Sequence, residues 1–368
     1  MNKNIGIAGG FILVLFILTM SSGCLDQFSF NNGSITYEAQ PVKIRYNIRY
    51  GYRINCSGTG EYDIRYDCDL PEVLYGSISQ QQILYEQDYE TIYLANNMVL
   101  QWNINGEDNH DYELGASAAV ESESSLVSDL NGKNALSIQE INTIYPNLIS
   151  QYCREQSNET TTFIDPNYPS IKNTAANILN QANSNNSFIL AKELFIWLKQ
   201  NTAYKIHTTN INVQPASKTY QLKTGDCDDL SFLYISLCRS IGIPARFTRG
   251  YLVEETNGII SAVAHAWAEV FVGGNIGDDG WIPVECACPS SDMEVQVNQN
   301  FGVESMGHLR LFKDDGSNES INVSLSGPRI SYDVGMHIDM KSFVEIDNYS
   351  VSESGELFID KDGNRAYK

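Results

Sequence analysis

Basic side chains are scarce in this chain of 368 residues. It holds 24 lysines and arginines against 45 aspartates and glutamates, so its formal net charge is −21 at pH 7. Binding to nucleic acid requires a basic surface, and this composition therefore excludes a nucleic-acid partner. A negative charge of this size is typical of a soluble, outward-facing domain and carries no information about the fold. Repeats and low-complexity segments are also missing, and no segment indicates an oligomeric state.

Metal-binding spacings are missing as well. The chain has five histidines and no Cys-x-x-Cys or His-x-x-His pair. Cys286 and Cys288 lie too close together to be interpreted alone as a metal knuckle. We therefore predict no metal and no cofactor. Four histidines share no motif and are predicted to be surface or structural residues: His110, His207, His308 and His337.

One long apolar run occurs, and it lies at the N-terminus. Residues 5–20 are almost all apolar, Lys3 is the only charged residue before Asp26, and the small residues Ser-Ser-Gly precede Cys24. This pattern is typical of a secretory signal. We predict a leader over residues 1–23, with Cys24 as the lipidated first residue of the mature chain. The alternative is an uncleaved anchor, although the run is short against the roughly 20 residues of a membrane span. Either way, we expect an outward-facing chain tethered to the cell membrane.

Cysteines are expected to meet an oxidising environment in an exported chain. Apart from Cys24 and Cys227, six cysteines remain, which permits three disulfides. Cys56 and Cys68 flank a Gly-Thr-Gly turn and are predicted to bridge two strands. Cys238 lies on an apolar helix face and is predicted to be a buried thiol. Seven Asn-x-Ser/Thr sequons are candidate surface glycosylation sites: Asn32, Asn55, Asn158, Asn185, Asn318, Asn322 and Asn348.

The pattern along the chain changes near residue 125. Before it, segments such as 42–50 alternate apolar and polar residues, the period of half-buried strands. After it, Ser137 and Glu140 form a capping box, and helices precede antiparallel strands. This order predicts an α+β fold in which helices pack on an antiparallel sheet, preceded by a small β-sandwich. The predicted divisions are a leader (1–23), a stalk (24–40), the β-sandwich (41–125), a catalytic domain (126–294) and a C-terminal β extension (295–368).

Cys227 is the candidate nucleophile. It follows Gly225-Asp226 at the predicted start of a helix, with Asp226 as the N-cap. In the first turn, free backbone N–H groups and the helix dipole favour a thiolate and can hold an oxyanion. Asp228 and Asp229 act in the opposite direction, because nearby negative charge raises the pKa of a thiol.

His265 and Glu285 are the candidate base and its orienting carboxylate. His265 and Trp267 are predicted on one face of a strand, with Ala266 and Ala268 on the other. Glu285 ends the next strand, and neighbouring strands lie about 4.8 Å apart, so its carboxylate can reach His265. In these roles His265 accepts the thiol proton and Glu285 sets the imidazole tautomer. Two other acids, Asp278 and Asp279, lie in the preceding turn and are alternatives to Glu285.

Four segments resemble the transglutaminase-like superfamily, as found in archaeal and bacterial surface proteins. They are Gly225-Asp226-Cys227, Leu237–Arg246 with its Gly-Ile-Pro-Ala-Arg exit, His265-Ala-Trp-Ala-Glu-Val-Phe, and Trp281-Ile-Pro-Val-Glu. The resemblance covers roughly residues 185–290. It implies a papain-like Cys-His-Asp core and acyl-transfer chemistry on amides. Glu285 stands where the family usually has aspartate, which is one methylene shorter.

Two functions remain open from the sequence. The first is a thiol enzyme that acts on amide bonds of proteins or peptides, with hydrolysis favoured because nothing indicates how water is kept from a thioester. The second is a non-catalytic surface module that binds a glycan, a peptide or a partner. Gln221 and Tyr220 are candidate oxyanion donors, since Gln221 has the offset from Cys227 that papain-type proteases show.

Overall fold

The computed structural model describes residues 4–6, 28–31, 33–85, 88–206, 213–288, 292–324 and 327–368. Most of the predicted leader, and Cys24 with it, lies outside these ranges, so cleavage and lipidation stay predictions. No helix within the described ranges combines the length and apolar character needed to cross a membrane.

The helices and strands of the described residues fall into two groups. One group combines segments from the two ends of the chain, and the other comes from its middle. The strands are β1 Asn4–Gly6, β2 Phe28–Asn31, β3 Ser34–Gly58, β4 Tyr62–Asp69, β5 Gly76–Ile83, β6 Tyr89–Leu94, β7 Asn97–Gly106, β8 His110–Glu123, β9 Ser125–Leu126, β10 Gln156–Ser157, β11 Thr162–Ile164, β12 Ala203–Tyr204, β13 Thr224–Gly225, β14 Ala245–Thr256, β15 Ile259–Phe271, β16 Trp281–Val284, β17 Val303–Glu304, β18 His308–Lys313, β19 Arg329–Tyr332, β20 Met336–Ile359 and β21 Arg365–Tyr367. The helices are α1 Ile138–Ile144, α2 Pro146–Tyr152, α3 Pro169–Ala182, α4 Ser187–Asn201, α5 Ala216–Leu222, α6 Cys227–Ser240, α7 Met293–Asn300 and α8 Asn318–Ser324.

Two sheets pack face to face as the predicted β-sandwich. One sheet has the order β21-β20-β3-β8-β5, with β2 also paired to β3, and the other has the order β1-β19-β4-β7-β6. Ile44, Tyr46 and Ile48 alternate along β3 and are buried against Ile64 and Trp102 of the opposite sheet. This alternation follows because successive side chains of a strand point to opposite faces.

The sandwich is built from both ends of the chain, which the predicted divisions do not anticipate. The stalk over 24–40 is wrong in its second half, since β3 begins at Ser34 and Tyr37 is buried. The residues after 295 do not form one extension. β18 joins the sheet of the central region, whereas β20 pairs with β3 along nearly its whole length. Long-range pairing of this kind leaves no local signature in the sequence.

The predicted disulfide between Cys56 and Cys68 is wrong, whereas Cys288 is disulfide-bonded. Cys56, Cys68, Cys153, Cys238 and Cys286 are free thiols, and all but Cys153 are fully buried. Cys56 lies near the turn between β3 and β4, whereas Cys68 lies at the far end of β4. β3 and β4 belong to different sheets, and Cys68 lies six residues beyond Tyr62 at the start of β4, about 20 Å along the strand at 3.3 Å per residue. A disulfide requires Cα atoms within about 7 Å.

The central region has the expected α+β architecture. Its antiparallel sheet has the order β16-β15-β14-β18, and α3, α4 and α6 share a core with it. Ala266, Ala268 and Val270 of β15 lie in that core, while His265 and Trp267 alternate with them, as the pattern of the strand predicts. The small alanine side chains let α6 pack closely on the sheet.

The segment before α6 contains regular structure. It contains α5 and the short parallel pair of β12 with β13, in which Tyr204 is paired with Gly225. This pairing holds Tyr204 beside the residue that leads into the start of α6. Two elements distant in sequence are thus joined next to Cys227.

Candidate active site

Cys227 is the first residue of α6, and its position depends on a capping box. Asp226 is the N-cap, with an extended backbone (φ −89°, ψ −163°), and its N–H donates to the Asp229 carboxylate at 3.2 Å. Gly225 allows this approach, since a Cβ there would lie 2.5 Å from Cβ of Asp229. The predicted cap is confirmed, and Cys227 lies in the first turn beside free backbone N–H groups.

The sulfur of Cys227 lies against the edge of β15. It accepts a hydrogen bond from the backbone N–H of Ala266. The last residue of β16, Val284, pairs with Ala268, so β16 ends before it reaches Ala266. The early end of β16 leaves room at this edge for α6. Cys227 is therefore held at the backbone of Ala266, the residue that follows His265.

His265 is buried, and its two ring nitrogens have different surroundings. Nε2 lies 2.6 Å from Oε2 of Glu285. Nδ1 is buried and makes no hydrogen bond to any part of the chain that the structure describes. Because a carboxylate only accepts hydrogen bonds, Glu285 assigns the proton to Nε2. Nδ1 then carries the lone pair of a general base.

Glu285 is held by three donors. Oε2 faces Nε2 of His265 at 2.6 Å and Nε2 of His308 at 3.2 Å, and Oε1 accepts from the N–H of Ala287 at 2.7 Å. Burial alone would raise the pKa of this carboxyl, but the charges and hydrogen bonds of the two histidines hold its pKa well below the usual range. Glu285 is thus a carboxylate at neutral pH.

His308 is a member of the site that the sequence analysis did not assign to it. It begins β18, where it pairs with Leu252 of β14, and its ring lies 5.4 Å from the His265 ring. Burial opposes the charged imidazole, but Glu285 raises the pKa of His308 above its usual value. No motif surrounds His308, so only the pairing of β18 with β14 reveals its place.

The acidic residues around Cys227 change the expected charge of the thiol. Burial raises the pKa of Asp226 and of Asp228 to about 7. The Asp229 carboxyl adds to the rise at Asp226, and the carboxyls of Asp226 and Asp229 add to it at Asp228. Burial, followed by the carboxyls of Asp228 and Asp226, raises the pKa of the Cys227 thiol well above its ordinary value. The first-turn position therefore does not by itself make a resting thiolate.

Tyr204 and Lys199 also belong to the site, although no pattern in the sequence indicated them. The phenol of Tyr204 lies in the field of Cys227 and Glu285, and burial keeps its pKa above the usual range, so it stays a neutral donor. Lys199 donates from Nζ to the carbonyl oxygens of Cys286 at 2.8 Å and Cys288 at 2.6 Å. It thereby anchors the segment that follows Glu285.

The other candidates from the sequence lie elsewhere. Nε2 of Gln221 donates to the Tyr168 hydroxyl at 2.7 Å, and Tyr220 stacks on Trp197. Their role as oxyanion donors stays a prediction with no contact in its support. The alternative pair of acids is exposed in the turn before β16. That turn is at the opposite end of the strand from Glu285, which is the residue that contacts His265.

The face of the sheet that carries His265 continues into a buried ionic network. Arg310 donates to Glu269 at 2.8 Å and to Glu304 at 2.9 Å, and the indole of Trp267 also donates to Glu304 at 3.1 Å. The Trp267 ring in turn packs edge-on against His308, with centroids 4.7 Å apart. Buried groups that are all hydrogen-bonded hold a fixed geometry, and this network therefore supports the positions of both histidines.

Within the described residues, His265, Glu285 and His308 each offer a ligand atom within 4.8 Å of the others, close enough to hold a metal ion. Both Nε2 atoms already contact Oε2 of Glu285. These hydrogen bonds account for the arrangement, and we assign no metal to it.

Part of the central region is similar to a known protein family. Residues 172–286 match the family model of the transglutaminase-like superfamily. The chain contains a transglutaminase-like domain. This domain runs from α3 to the residue after Glu285 and so includes Cys227 and His265.

Two curated proteins match part of this chain. YebA of Bacillus subtilis is 32% identical over 116 residues, covering 27% of this chain and 15% of YebA. ML0607 of Mycobacterium leprae is 28% identical over 103 residues, covering 27% of this chain and 33% of ML0607. The matches thus span a minor part of both relatives. Both relatives are themselves uncharacterized proteins.

Solved structures are similar over more of the chain at lower identity. A candidate cysteine protease from Cytophaga hutchinsonii is 16% identical with a TM-score of 0.46, covering 91% of this chain and 100% of that one. The periplasmic domain of TgpA from Pseudomonas aeruginosa is 14% identical with a TM-score of 0.32, covering 70% of this chain and 94% of that domain.

Proposed function

We propose that this chain is a thiol enzyme that acts on amide bonds of proteins or peptides through a thioester on Cys227. One observation carries the proposal. Nε2 of His265 lies 2.6 Å from the Glu285 carboxylate, while the buried Nδ1 of His265 has no hydrogen-bond partner within the described residues. The next residue, Ala266, donates its backbone N–H to the Cys227 sulfur. That is the arrangement a general base needs beside a nucleophile.

The proposed reaction has two half-steps. Sγ of Cys227 attacks the amide carbonyl while Nδ1 of His265 takes the thiol proton, and the N–H groups of the first turn of α6 stabilise the oxyanion. The C–N bond then breaks, the leaving amine or ammonia takes the proton from His265, and a thioester remains. Water attacks the thioester with His265 again as base, which releases an acid and restores the thiol. An amine in place of water gives a crosslink.

The roles of the histidine and the carboxylate follow from charge. During attack His265 becomes an imidazolium, and the adjacent Glu285 carboxylate stabilises it in a buried site where charges interact strongly. Because the pKa of the Cys227 thiol is raised, the thiol loses its proton only as it attacks. The reaction therefore depends on His265 more than it would with a preformed thiolate.

The test uses the full chain in detergent beside Cys227→Ala. Each is incubated with a glutamine-rich protein and a labelled primary amine, and we follow ammonia, incorporated amine and new N-termini. Ammonia with incorporated amine, lost in the variant, indicates a transglutaminase; ammonia alone indicates a deamidase; new N-termini indicate a peptidase. If all three signals are the same in both proteins, the thiol enzyme is wrong.

A non-catalytic binding module is the second candidate. The observation that favours it is the raised pKa of the Cys227 thiol, flanked by Asp226 and Asp228. A chain that reacts with no amide substrate but binds one with equal affinity in the wild type and in Cys227→Ala would fit this candidate.

We further propose that the chain is tethered to the membrane and faces outward, on the basis of the apolar run over residues 5–20 and the Ser-Ser-Gly-Cys24 segment. Cell fractionation and external protease treatment of intact cells test this. Cys24→Ala should release the chain from the membrane only if Cys24 is the lipidated residue.

A further inference from the structure

Glu285 shares one carboxylate oxygen between two imidazoles. Oε2 lies 2.6 Å from Nε2 of His265 and 3.2 Å from Nε2 of His308. The two histidines reach it from strands on opposite sides of β14, where His265 pairs with Gly250 and His308 with Leu252. Residues 250 and 252 lie on the same face of a strand, so both imidazoles project to one side of the sheet.

The far side of the His308 ring is tied to Ser305. Nδ1 lies 2.9 Å from the Ser305 hydroxyl oxygen and 3.3 Å from the Ser305 carbonyl oxygen. When His308 is neutral, its Nε2–H donates to Glu285 and its Nδ1 accepts from the Ser305 hydroxyl. When His308 is protonated, Nδ1–H donates to an oxygen of Ser305 instead. Ser305 therefore offers a partner in both states, and Nε2–H stays on Glu285 in each.

The length of the Glu285 side chain explains why its contact with His308 matters. Glutamate has one more rotatable bond than aspartate, so a glutamate that contacts a single imidazole can turn its carboxylate away. With His308 on Oε2 and the N–H of Ala287 on Oε1, the carboxylate is fixed from both ends. The same oxygen is then presented to Nε2 of His265.

We infer that His308 is a positioning residue: it holds Oε2 of Glu285 against Nε2 of His265, so that the proton of the neutral imidazole stays on Nε2 and Nδ1 is the nitrogen that acts as base for Cys227. The inference rests on the proposed function and deepens it. His308 acts through Glu285 and need not touch the substrate. Other carboxyls that act on the two histidines are those of Asp228, on α6, Glu254, on β14, and Glu304, on β17.

The test follows alkylation of Cys227 by iodoacetamide, which requires no knowledge of the substrate. The full chain, His308→Leu, His308→Gln and His308→Asn are compared between pH 5 and 9 in buffer with EDTA, and the modified Cys227 peptide is quantified by mass spectrometry. Gln places an N–H donor near the position of Nε2, whereas Asn is too short to reach Glu285. His337→Leu is the matched control, because His337 is exposed on β20 in the sandwich.

We expect His308→Leu and His308→Asn to slow alkylation at neutral pH by about tenfold, the usual scale for loss of a residue that orients a catalytic group. The pH profile should shift in both, His308→Gln should recover most of the rate, and His337→Leu should match the wild type. If His308→Asn is folded, by circular dichroism and thermal melting, and keeps the wild-type profile, the inference is overturned while the thiol enzyme stands.

A second comparison separates this failure from failure of the proposed function. In His265→Ala the base is gone, so Cys227 should react more slowly than in the wild type. If Cys227 reacts equally in both, the catalytic pair itself is wrong, and the inference about His308 falls with it.

Discussion

Oε2 of Glu285 lies 2.6 Å from Nε2 of His265, across 20 residues of sequence, and both side chains are buried. The contact assigns the imidazole proton to Nε2 and leaves Nδ1 as the basic nitrogen. It is the contact that the Trp281-Ile-Pro-Val-Glu285 segment predicted, and it is made by a glutamate rather than by the aspartate usual in the family that the chain resembles.

The first prediction concerns the charge of Glu285. Glu285→Gln keeps the size of the side chain but removes the negative charge that stabilises the His265 imidazolium, and its amide can hold the wrong tautomer. We expect amide turnover to fall by roughly 10² to 10⁴. Glu285→Asp keeps the charge but is too short to contact both histidines, so its loss should be smaller, about tenfold. Turnover and Cys227 alkylation are the measurements, with the exposed Glu294→Gln as the control. Turnover in Glu285→Gln equal to that of the control would contradict the assigned role.

The second prediction concerns Asp228 and the thiol. The pKa of Asp228 is raised to about 7, so Asp228 is charged above that pH and neutral below it. Its charge is one cause of the raised pKa of Cys227. Asp228→Asn should therefore speed Cys227 alkylation at pH 8, by roughly three- to tenfold. At pH 5.5 the two proteins should react alike, because Asp228 is already protonated. The control is Asp278→Asn, in an exposed turn. The same rate ratio at both pH values would argue that the charge of Asp228 has no part in setting the thiol pKa.

The third prediction compares two buried lysines of α4. Nζ of Lys199 donates to the carbonyls of Cys286 and Cys288, whereas Nζ of Lys192 donates to the carbonyl of Leu130 at 2.7 Å. Lys199→Met and Lys192→Met should each lower the free energy of unfolding, by about 1 to 3 kcal/mol. Lys199→Met alone should slow Cys227 alkylation, because it releases the segment after Glu285. Denaturant melts and alkylation rates, measured on the same samples, test this. Slowing of equal size in both variants would mean a general loss of stability instead.

The fourth prediction concerns the pH dependence of stability. The folded-state pKa of His308 lies above its ordinary value of 6.5. A raised pKa means that the folded chain binds the proton more tightly than the unfolded chain, so its contribution is complete below pH 6.5 and is lost as pH rises through the folded pKa. The difference in free energy of unfolding between the wild type and His308→Gln should therefore shrink from pH 6 to pH 9. Urea melts at several pH values measure it. The difference in free energy of unfolding between the wild type and the control His337→Gln should not change with pH. If the difference for His308→Gln grows towards pH 9, the prediction is contradicted.

Much of the site was predictable because each of its three central residues lies in a setting that short sequence patterns define. Asp226 at a helix start, alternation along β15 and the strand that ends at Glu285 are all local features. His308 lies 23 residues beyond Glu285 in a strand of its own, with no pattern around it. Tyr204 and Lys199 likewise reach the site through pairing and packing. Such contacts depend on which strand lies beside which, and periodicity does not encode that.

The sequence by itself determined the candidate nucleophile, base and carboxylate, together with the helix and strands that carry them, because caps and alternation act over a few residues. Only the tertiary structure decided how those elements meet. It pairs β20 with β3, so that both ends of the chain build the sandwich, and it keeps Cys56 and Cys68 apart as thiols. It also brings His308 onto the oxygen of Glu285 that His265 uses. Each of these outcomes rests on contacts between residues far apart in the chain, whose free energy comes from burial and pairing that no short segment contains.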